Sequence, residues 1–205
     1  PKNASLPRKR ILSSYGVEIV ETDPMLLTDG AQLVAREIFA SDPAKYFYPD
    51  QYNNDANWLA HYETTAPEVW EQTEGRVTHF VTGLGTSGTF VGVVRRLREL
   101  NPTLKAFAVQ PESPLHGLEG LKHMATAAVP GIFDQTLVTD TLEVATEDAL
   151  LMTSKLAREE GLLVGPSSGA NVFAAWRLAA SLREPAVVVT VLCDGGERYL
   201  GESFP

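Results

Sequence analysis

Residues 81–90 read VTGLGTSGTF, and the predicted architecture can be built outward from them. An apolar run ends at Gly83, small and hydroxyl-bearing residues follow, and a helical pattern starts near residue 89. A glycine-rich turn from a strand into a helix is typical of a phosphate-binding loop, because it gathers main-chain N–H groups at the positive end of the helix dipole. The stretch therefore predicts an α/β unit with an anion site after the strand.

The anion could be the phosphate of a nucleotide, of a dinucleotide or of another cofactor. No lysine follows Gly88, so the nucleotide-binding pattern G-x-x-x-x-G-K-[ST] is absent. The glycines of 83–88 do satisfy the dinucleotide pattern G-x-G-x-x-G, and Glu112 lies near the position where that pattern needs an acidic residue. Dinucleotide loops, however, bind the pyrophosphate with main-chain N–H groups and do not require side-chain hydroxyls. The hydroxyls at 86, 87 and 89 therefore favour a phosphate monoester, which has three terminal oxygens that need hydrogen-bond donors.

Composition excludes several classes of protein. The 205 residues carry a formal net charge of −9, which argues against nucleic acid as a partner, because binding to its phosphates needs clustered Lys and Arg. No apolar run approaches the ~20 residues of a membrane span, so no membrane association is expected. The single cysteine, Cys193, excludes an intrachain disulfide, and the four histidines show no metal-ligand spacing. We therefore expect a cytoplasmic protein without a metal site.

Strand and helix patterns alternate along the chain, which predicts a parallel, doubly wound sheet with helices on both faces. Helices are predicted at 5–15, 29–42, 55–75 with a break near Pro67, 89–100, 146–161 with Thr146 as its cap, and 168–182 with Trp176 buried. Strands are predicted at 16–22, 76–83, 104–110, 137–144, 162–165 and 186–192, the last typical of a central strand. Ligands bind such sheets at the carboxyl ends of the strands, so chemistry is expected in loops 83–89, 111–124, 165–170 and 193–197.

Outside the glycine-rich loop, the polar candidates leave two interpretations open. Ser167 and its neighbour in GPSSGAN could cap a helix or face a ligand. Cys193 is more typical of a small wall residue than of a nucleophile, since the sequence identifies no base for it. Lys122 is either a surface lysine or a cation that meets an anionic substrate. Gln51 is harder to explain as a turn residue than its Asn-rich neighbours at 53–55.

Five segments, taken in order, resemble the pyridoxal-phosphate-dependent cysteine synthases (O-acetylserine sulfhydrylases) and their relative cystathionine β-synthase. They are PKNAS-x-x-R, YPDQYNNDAN…HYETTAPEVWEQ, GLGTSGT, EEGLLVGPSSGA and DGGERYL. The resemblance implies a fold-type II enzyme with pyridoxal 5′-phosphate as cofactor. It also implies that residues 1–50 are the remainder of a smaller N-terminal domain and that 51–205 form the phosphate-binding domain. A homodimer and an association with serine acetyltransferase are further expectations.

The resemblance also implies a role for each candidate residue. Ser167 would hydrogen-bond the pyridine nitrogen, with Cys193 and Asp194 beside the cofactor. The substrate would meet Gln51, Gly120 and Lys122. The cofactor phosphate would be bound by Gly85, Thr86, Ser87, Gly88 and Thr89.

The implied reaction is a transferase-type β-replacement that forms L-cysteine from sulfide and an O-activated serine, either O-acetylserine or O-phosphoserine. Two alternatives stay open: a cystathionine β-synthase-like replacement, and a non-catalytic binding module that kept the fold. A nicotinamide-dependent enzyme is disfavoured, because the glycine-rich loop belongs to a set of five ordered matches.

One departure from the family concerns its Schiff-base lysine. That lysine and the substrate-carboxylate loop, of the S-x-K and T-S-G-N-T kinds, lie in the family upstream of the segment that matches Pro1, and none of the six lysines of this chain has that context. The chain also lacks an initiator methionine. We therefore expect an N-terminally truncated enzyme, roughly its C-terminal two thirds, that is inactive alone and has an exposed sheet edge.

Overall fold

A computed structural model describes residues 1–199 of the chain, which fall into two compact units. One unit comprises residues 1–50 with the last described residues from Glu197, and the other comprises Gln51–Gly196. The end of the DGGERYL segment, at residue 200, lies outside the described residues. The assignment of 1–50 to a smaller domain and of 51–205 to a phosphate-binding domain stays a prediction.

The first unit is helical in its regular parts. Helix α1 spans Leu6–Ser14, a 3₁₀ turn spans Pro24–Leu26, and helix α2 spans Leu27–Ser41. The strand predicted at 16–22 is wrong, since this segment belongs to no sheet in the described part of the chain. Its apolar side chains Val17 and Val20 are exposed, and a strand needs a paired neighbour as well as an apolar pattern.

A parallel four-stranded sheet forms the centre of the second unit, in the order β3-β2-β1-β4. Its strands are β1 His79–Gly83, β2 Lys105–Pro111, β3 Asp140–Val144 and β4 Val188–Thr190. Strand β1 is in register with β2, from His79 opposite Lys105 to Gly83 opposite Val109. Because the strands are parallel, their carboxyl ends meet at one edge of the sheet.

Five helices and one π-helical turn accompany this sheet. They are α3 Ala56–Ala60, the π-helical turn His61–Thr65, α4 Ala66–Gln72, α5 Gly88–Leu100, α6 Thr146–Glu160 and α7 Pro166–Ser181. The successive β1 residues Phe80 and Val81 belong to two different buried clusters, the first with α5 and the second with α7. Successive strand residues point to opposite faces, so helices cover both faces as predicted. Through Tyr199, no helix has both the length and the apolarity needed to cross a bilayer.

One local prediction in the helices is confirmed and two are wrong. The helix predicted at 55–75 is broken near Pro67, since the π-helical turn His61–Thr65 interrupts it and α4 starts at Ala66, with Pro67 in the first turn, where its missing N–H is tolerated. Thr146 does not cap α6, and its hydroxyl instead accepts a hydrogen bond from the Gly117 N–H at 3.0 Å. Trp176 is 60% exposed, because α7 turns Ala170 and Ala174 toward the sheet and leaves Trp176 on the outer side.

Two strand predictions also need correction. Residues 162–165 do not form a strand, and Val164 makes only an isolated antiparallel bridge to Gly195. The apolar run 186–192 contains β4, but β4 is three residues long, half-buried and at the edge of the described sheet. A fully apolar run is typical of a central strand, yet its position depends on which strands pair with it.

Gly92 lies where the main chain of the segment that precedes α4 packs directly on α5. A Cβ atom at Gly92 would collide with the main-chain oxygen of Trp58 and lie 2.8 Å from His61 Cβ and 2.9 Å from the Tyr62 nitrogen. Alanine normally favours a helix by up to about 1 kcal/mol over glycine, but overpacking against a main chain costs about 1–3 kcal/mol. We expect Gly92→Ala to lower the free energy of unfolding, measured by denaturant titration.

The control is Glu159→Ala, at an exposed position of α6, which we expect to stay within about 0.5 kcal/mol of the wild type. Equal or greater stability of Gly92→Ala would show that α5 does not pack this closely.

Burial of His79 in β1 makes the stability of this unit depend on pH. Its Nδ1 lies 2.8 Å from Thr78 Oγ1, and no described group hydrogen-bonds its Nε2. Burial lowers the pKa of His79, and the charge of Lys105 lowers it further. A histidine in the unfolded chain has a pKa of about 6.5, so below that pH the unfolded state binds a proton that folded His79 resists.

We therefore expect the free energy of unfolding to fall as the pH is lowered below about 6.5, and to fall less steeply in His79→Phe. Phenylalanine keeps the ring stacked on Phe107, 5.9 Å away between ring centres. Urea titrations between pH 5 and 8 would measure both slopes, with His123→Gln, a partly exposed loop histidine, as the control. Identical slopes for the wild type and His79→Phe would contradict the prediction.

Candidate functional site

Loop 83–88 crosses the carboxyl end of β1 and leads directly into α5. The Leu84 N–H donates to the Val109 oxygen at 3.0 Å, which holds the loop against the end of β2. Ser87 is the residue before the helix and has φ 69° and ψ 0°, a left-handed conformation that is uncommon outside glycine. The first N–H groups of α5 have no partner within the helix, so this tight turn presents donors at the sheet edge.

The glycines of this loop are in contact with two other segments. A Cβ atom at Gly85 would meet the main-chain oxygen of Gly120, and one at Gly88 would meet the side-chain amide of Asn57. Neither position has room for a side chain. The loop therefore presents main-chain atoms and hydroxyl groups at its surface.

Two residues of the segment before α4 contact the threonines of the loop. Asn57 Nδ2 donates to Thr86 Oγ1 at 2.9 Å and to the Gln51 main-chain oxygen at 2.7 Å. His61 Nε2 lies 3.2 Å from Thr89 Oγ1. Burial lowers the pKa of His61, so its imidazole is neutral at pH 7. Neither residue was predicted from the sequence as part of the site, although their i, i+4 spacing places both on one helical face.

The segment around Gly120 runs beside the glycine-rich loop. Gly120 has φ 92°, a conformation that favours glycine, and the Lys122 N–H donates to the Leu84 oxygen at 2.8 Å. Lys122 is only 4% exposed, so it is not a surface lysine, and its Nζ lies 5.2 Å from the centre of the Tyr52 ring. Gln51 is exposed, and its main-chain oxygen accepts the hydrogen bond from Asn57.

The start of α7 meets the chain after β4 at the same edge. The Cys193 N–H donates to Ser168 Oγ at 2.8 Å, and the Gly165 N–H donates to the Asp194 oxygen at 3.1 Å. Ser168 is fully buried and Ser167 is 6% exposed. The Ser168 hydroxyl is thus occupied by the main chain, while Ser167 interacts with the Cys193 thiol.

The Cys193 thiol is not activated for nucleophilic attack. The residue as a whole is exposed, but its sulfur lies against the hydroxyls of Ser167 and Ser168 and the amide of Asn171. Burial of the sulfur raises the pKa of the thiol, against the smaller effect of those hydrogen bonds. A thiol with a raised pKa is protonated at neutral pH and is a poor nucleophile.

Asn171 lies between the glycine-rich loop and Cys193, and it was not identified from the sequence. Its Nδ2 donates to the Val191 oxygen at 2.9 Å and contacts Cys193 Sγ at 3.4 Å. Its Oδ1 is buried without a hydrogen-bond partner among the described residues, 3.1 Å from where a Cβ atom of Gly83 would stand. Asn171 therefore joins the end of β4 to the end of β1.

The predicted site residues thus fall into two groups at one edge of one sheet. The first surrounds loop 83–88 and includes Gly120, Lys122 and the main chain of Gln51, and the second comprises Ser167, Cys193 and Asp194. Among residues 1–199, no group of three His, Cys, Asp or Glu side chains is arranged to hold a metal ion. Besides the side chains of Lys122, Cys193 and Asp194, the edge offers hydroxyls, amides and main-chain N–H groups.

Comparison with curated proteins gives relatives over nearly the whole chain. The chain is 49% identical to a cysteine synthase of Aquifex aeolicus over 203 residues, covering 98% of this chain and 62% of that protein. It is 39% identical to cysteine synthase B of Escherichia coli over 200 residues, covering 98% of this chain and 65% of that protein. The chain therefore spans less than two thirds of the length of these relatives.

Solved structures and protein families agree with these relatives. The cysteine synthase of Entamoeba histolytica superposes with a TM-score of 0.88 at 30% identity, covering 98% of this chain and 62% of that one. The O-acetylserine-dependent cystathionine β-synthase of Helicobacter pylori superposes with a TM-score of 0.91 at 32% identity, covering 100% and 68%. Residues 1–194 match the family described as pyridoxal-phosphate dependent enzyme. The resemblance seen in the sequence is confirmed: the chain belongs to the family of pyridoxal-phosphate-dependent enzymes that includes the cysteine synthases.

Proposed function

We propose that this chain is the cofactor-phosphate-binding part of a cysteine synthase, which forms L-cysteine from sulfide and an O-activated serine. The observation that carries the proposal is the meeting of the glycine-rich loop with the Ser167 and Cys193 group at one sheet edge. The identity of 49% with a cysteine synthase supports the same reaction class. A homodimer, an association with serine acetyltransferase and a cytoplasmic location stay predictions.

The residues of this edge fit a phosphorylated cofactor. Gly85 and Gly88 let the Gly120 segment and the Asn57 side chain pack directly against the loop, and the first N–H groups of α5, which begins at Gly88, have no partner within the helix. Thr86 and Thr89 add hydroxyls, whereas the Ser87 hydroxyl donates to the Thr86 main-chain oxygen, so Ser87 would contribute through its main chain. Residues 83–89 include no carboxylate that would repel a phosphate. The loop would hold the phosphate by hydrogen bonds from the main chain and from these hydroxyls.

The second group fits the ring end of the same cofactor. Ser167 would hydrogen-bond the pyridine nitrogen, the role that the resemblance to the family implies, while Ser168 Oγ accepts the Cys193 N–H. Cys193 and Asp194 would lie beside the ring, the thiol as a neutral wall residue. When bound, pyridoxal phosphate supplies an electron sink for loss of the β-substituent of an amino acid. A neutral serine beside the ring nitrogen does not keep that nitrogen protonated, so the ring is a milder electron sink. A milder electron sink suits the loss of a β-substituent.

Substrate binding is proposed for Gln51, Gly120 and Lys122. Gly120 touches the loop at Gly85, and Lys122 is hydrogen-bonded to it through its main chain. Lys122 as a residue is 4% exposed, and its ammonium group facing the substrate would favour a phosphorylated serine over an acetylated one. The choice between the two donors is part of the test below.

We further propose that the Schiff-base lysine of the enzyme is not one of the six lysines of this chain. Lys122 is buried over the Tyr52 ring in the loop segment beside Leu84, while Lys105 begins β2 and Lys155 lies on the outer face of α6. On this proposal the chain needs a further segment for catalysis and is inactive alone.

A second candidate is β-replacement with a larger thiol. The TM-score of 0.91 with the cystathionine β-synthase of Helicobacter pylori supports it. A non-catalytic module that kept the fold is the third candidate, and it predicts no turnover under any condition.

The reaction is tested with a chimaera that joins the first third of the Aquifex aeolicus cysteine synthase to this chain. We expect the folded chimaera to form cysteine from sulfide and either O-acetylserine or O-phosphoserine, measured by chromatography. Homocysteine in place of sulfide tests the second candidate. Turnover with neither thiol would favour the non-catalytic module.

Two controls accompany this assay. The chimaera with its Schiff-base lysine changed to alanine should be inactive. The 205-residue chain alone, treated with pyridoxal phosphate and borohydride, should show no stoichiometric single adduct by intact mass. A stoichiometric adduct that Lys122→Arg abolishes would contradict the absence of the Schiff-base lysine.

Alanine substitutions at the two adjacent serines should have different effects: the change at Ser168 should mainly lower stability, and the change at Ser167 should mainly weaken cofactor binding. We expect Ser168→Ala to lower the free energy of unfolding by about 1 kcal/mol, because the Cys193 N–H loses its acceptor. We expect Ser167→Ala to lower stability less than Ser168→Ala, because the hydrogen bond it loses is to a thiol, and to weaken binding of both pyridoxal phosphate and pyridoxal, which share the ring nitrogen. Thermal melts and ligand titrations measure the two effects. Reversed effects would assign the ring contact to Ser168.

A further inference from the structure

The Asn57 side chain lies between the glycine-rich loop and the start of the second unit. A main-chain carbonyl can only accept a hydrogen bond, so the contact of 2.7 Å with the Gln51 oxygen determines which end of the amide faces Gln51. The same nitrogen lies 2.9 Å from Thr86 Oγ1. Both hydrogens of one NH₂ group are then used, and Thr86 is the acceptor of the second.

This arrangement determines what the Thr86 hydroxyl can do. A hydroxyl has two lone pairs and one hydrogen. Asn57 fills one lone pair, and the Gly88 N–H approaches the same oxygen at 3.4 Å. Through residue 199, no side chain or main-chain group accepts the Thr86 hydrogen. The hydroxyl is therefore left with a hydrogen to donate, beside the N-terminus of α5.

We propose that Asn57 is a positioning residue, which makes the Thr86 hydroxyl a hydrogen-bond donor to the cofactor phosphate and holds the Gln51 main chain in register with the loop. The inference rests on the proposed function, since it needs a phosphate in the loop. Asn57 acts through Thr86. Its loss frees the hydroxyl to rotate and to satisfy itself elsewhere.

A purely structural role for Asn57 makes a different prediction. Asn57 lies at the start of α3 and contacts Gly88, so its loss could simply destabilise the unit. Destabilisation would weaken the binding of every ligand of this edge alike. A role at the phosphate changes only the preference for a phosphorylated ligand over its unphosphorylated counterpart.

The test uses the 205-residue chain with pyridoxal 5′-phosphate and pyridoxal, and compares their dissociation constants by tryptophan fluorescence. The two aldehydes share the ring and the carbonyl group, so the ratio of the constants isolates the phosphate. We expect the wild type to prefer the phosphorylated ligand by more than about tenfold, and Asn57→Leu to reduce this preference about tenfold. In a Thr86→Val background, Asn57→Leu should change the ratio by less than about twofold.

Asn101→Leu is the matched control. Asn101 likewise donates from Nδ2 to a main-chain oxygen, that of Val77 at 3.0 Å, but it follows the opposite end of α5. It should lower thermal stability and leave the ratio within about twofold of the wild type. If Asn57→Leu does not fold, Asn57→Ser, whose side chain is too short to bridge both partners, replaces it in the same cycle.

The outcomes separate the two levels of the proposal. Equal affinity of the wild type for both aldehydes overturns the phosphate site, and the role of Asn57 with it. A clear wild-type preference that Asn57→Leu leaves unchanged overturns only the role of Asn57. A reduction of the same size with and without Thr86→Val shows that Asn57 does not act through Thr86.

Discussion

The candidate site depends on the close approach of residues 57–62 to α5, at two glycines one turn apart on that helix. A side chain at Gly88 would meet Asn57, and one at Gly92 would meet the Trp58 oxygen and the main chain of Tyr62. The distance between two packed helices depends on the side chains at their contact, and larger residues at these two positions would hold the segment 57–62 away from α5. The glycines let residues 57–62 lie directly on α5, so Asn57 and His61 reach the two threonines of the loop.

The π-helical turn adds to this arrangement. The Ala66 N–H donates to the His61 oxygen, five residues back, and Pro67 next to it has no N–H to donate. A proline at the start of α4 therefore costs little, because the register of the hydrogen bonds has already changed. His61 begins this turn and holds Thr65 with Nδ1 at 3.0 Å and Thr89 with Nε2 at 3.2 Å. Through His61, the π-helical turn thus connects the Thr89 hydroxyl to Thr65, the residue before α4.

The sequence predicted the elements whose pattern is local. The predicted bounds agree within three residues with the structure for strand 76–83 (β1), the glycine-rich turn and helix 89–100 (α5). Hydrophobic periodicity and turn residues depend only on neighbours in the sequence, so these elements could be predicted. The segment 16–22 and the outer face of Trp176 could not be predicted in this way, since pairing and packing depend on distant residues. Asn57 and Asn171 were missed for the same reason: each is an ordinary polar residue in its own segment and acquires a role only through contacts 29 and 20 residues away.

The chemistry of the loop explains why such contacts matter here. Residues 83–89 contain no lysine or arginine, so an anion would be held by oriented N–H and O–H groups at a helix N-terminus. A lysine attracts a phosphate from any direction, whereas a hydroxyl contributes only if its hydrogen points at the phosphate and its lone pairs are satisfied elsewhere. A site of this kind needs a supporting layer that decides the orientation of each hydroxyl. Asn57 behind Thr86 and His61 behind Thr89 form that layer, and the glycines of α5 make room for it.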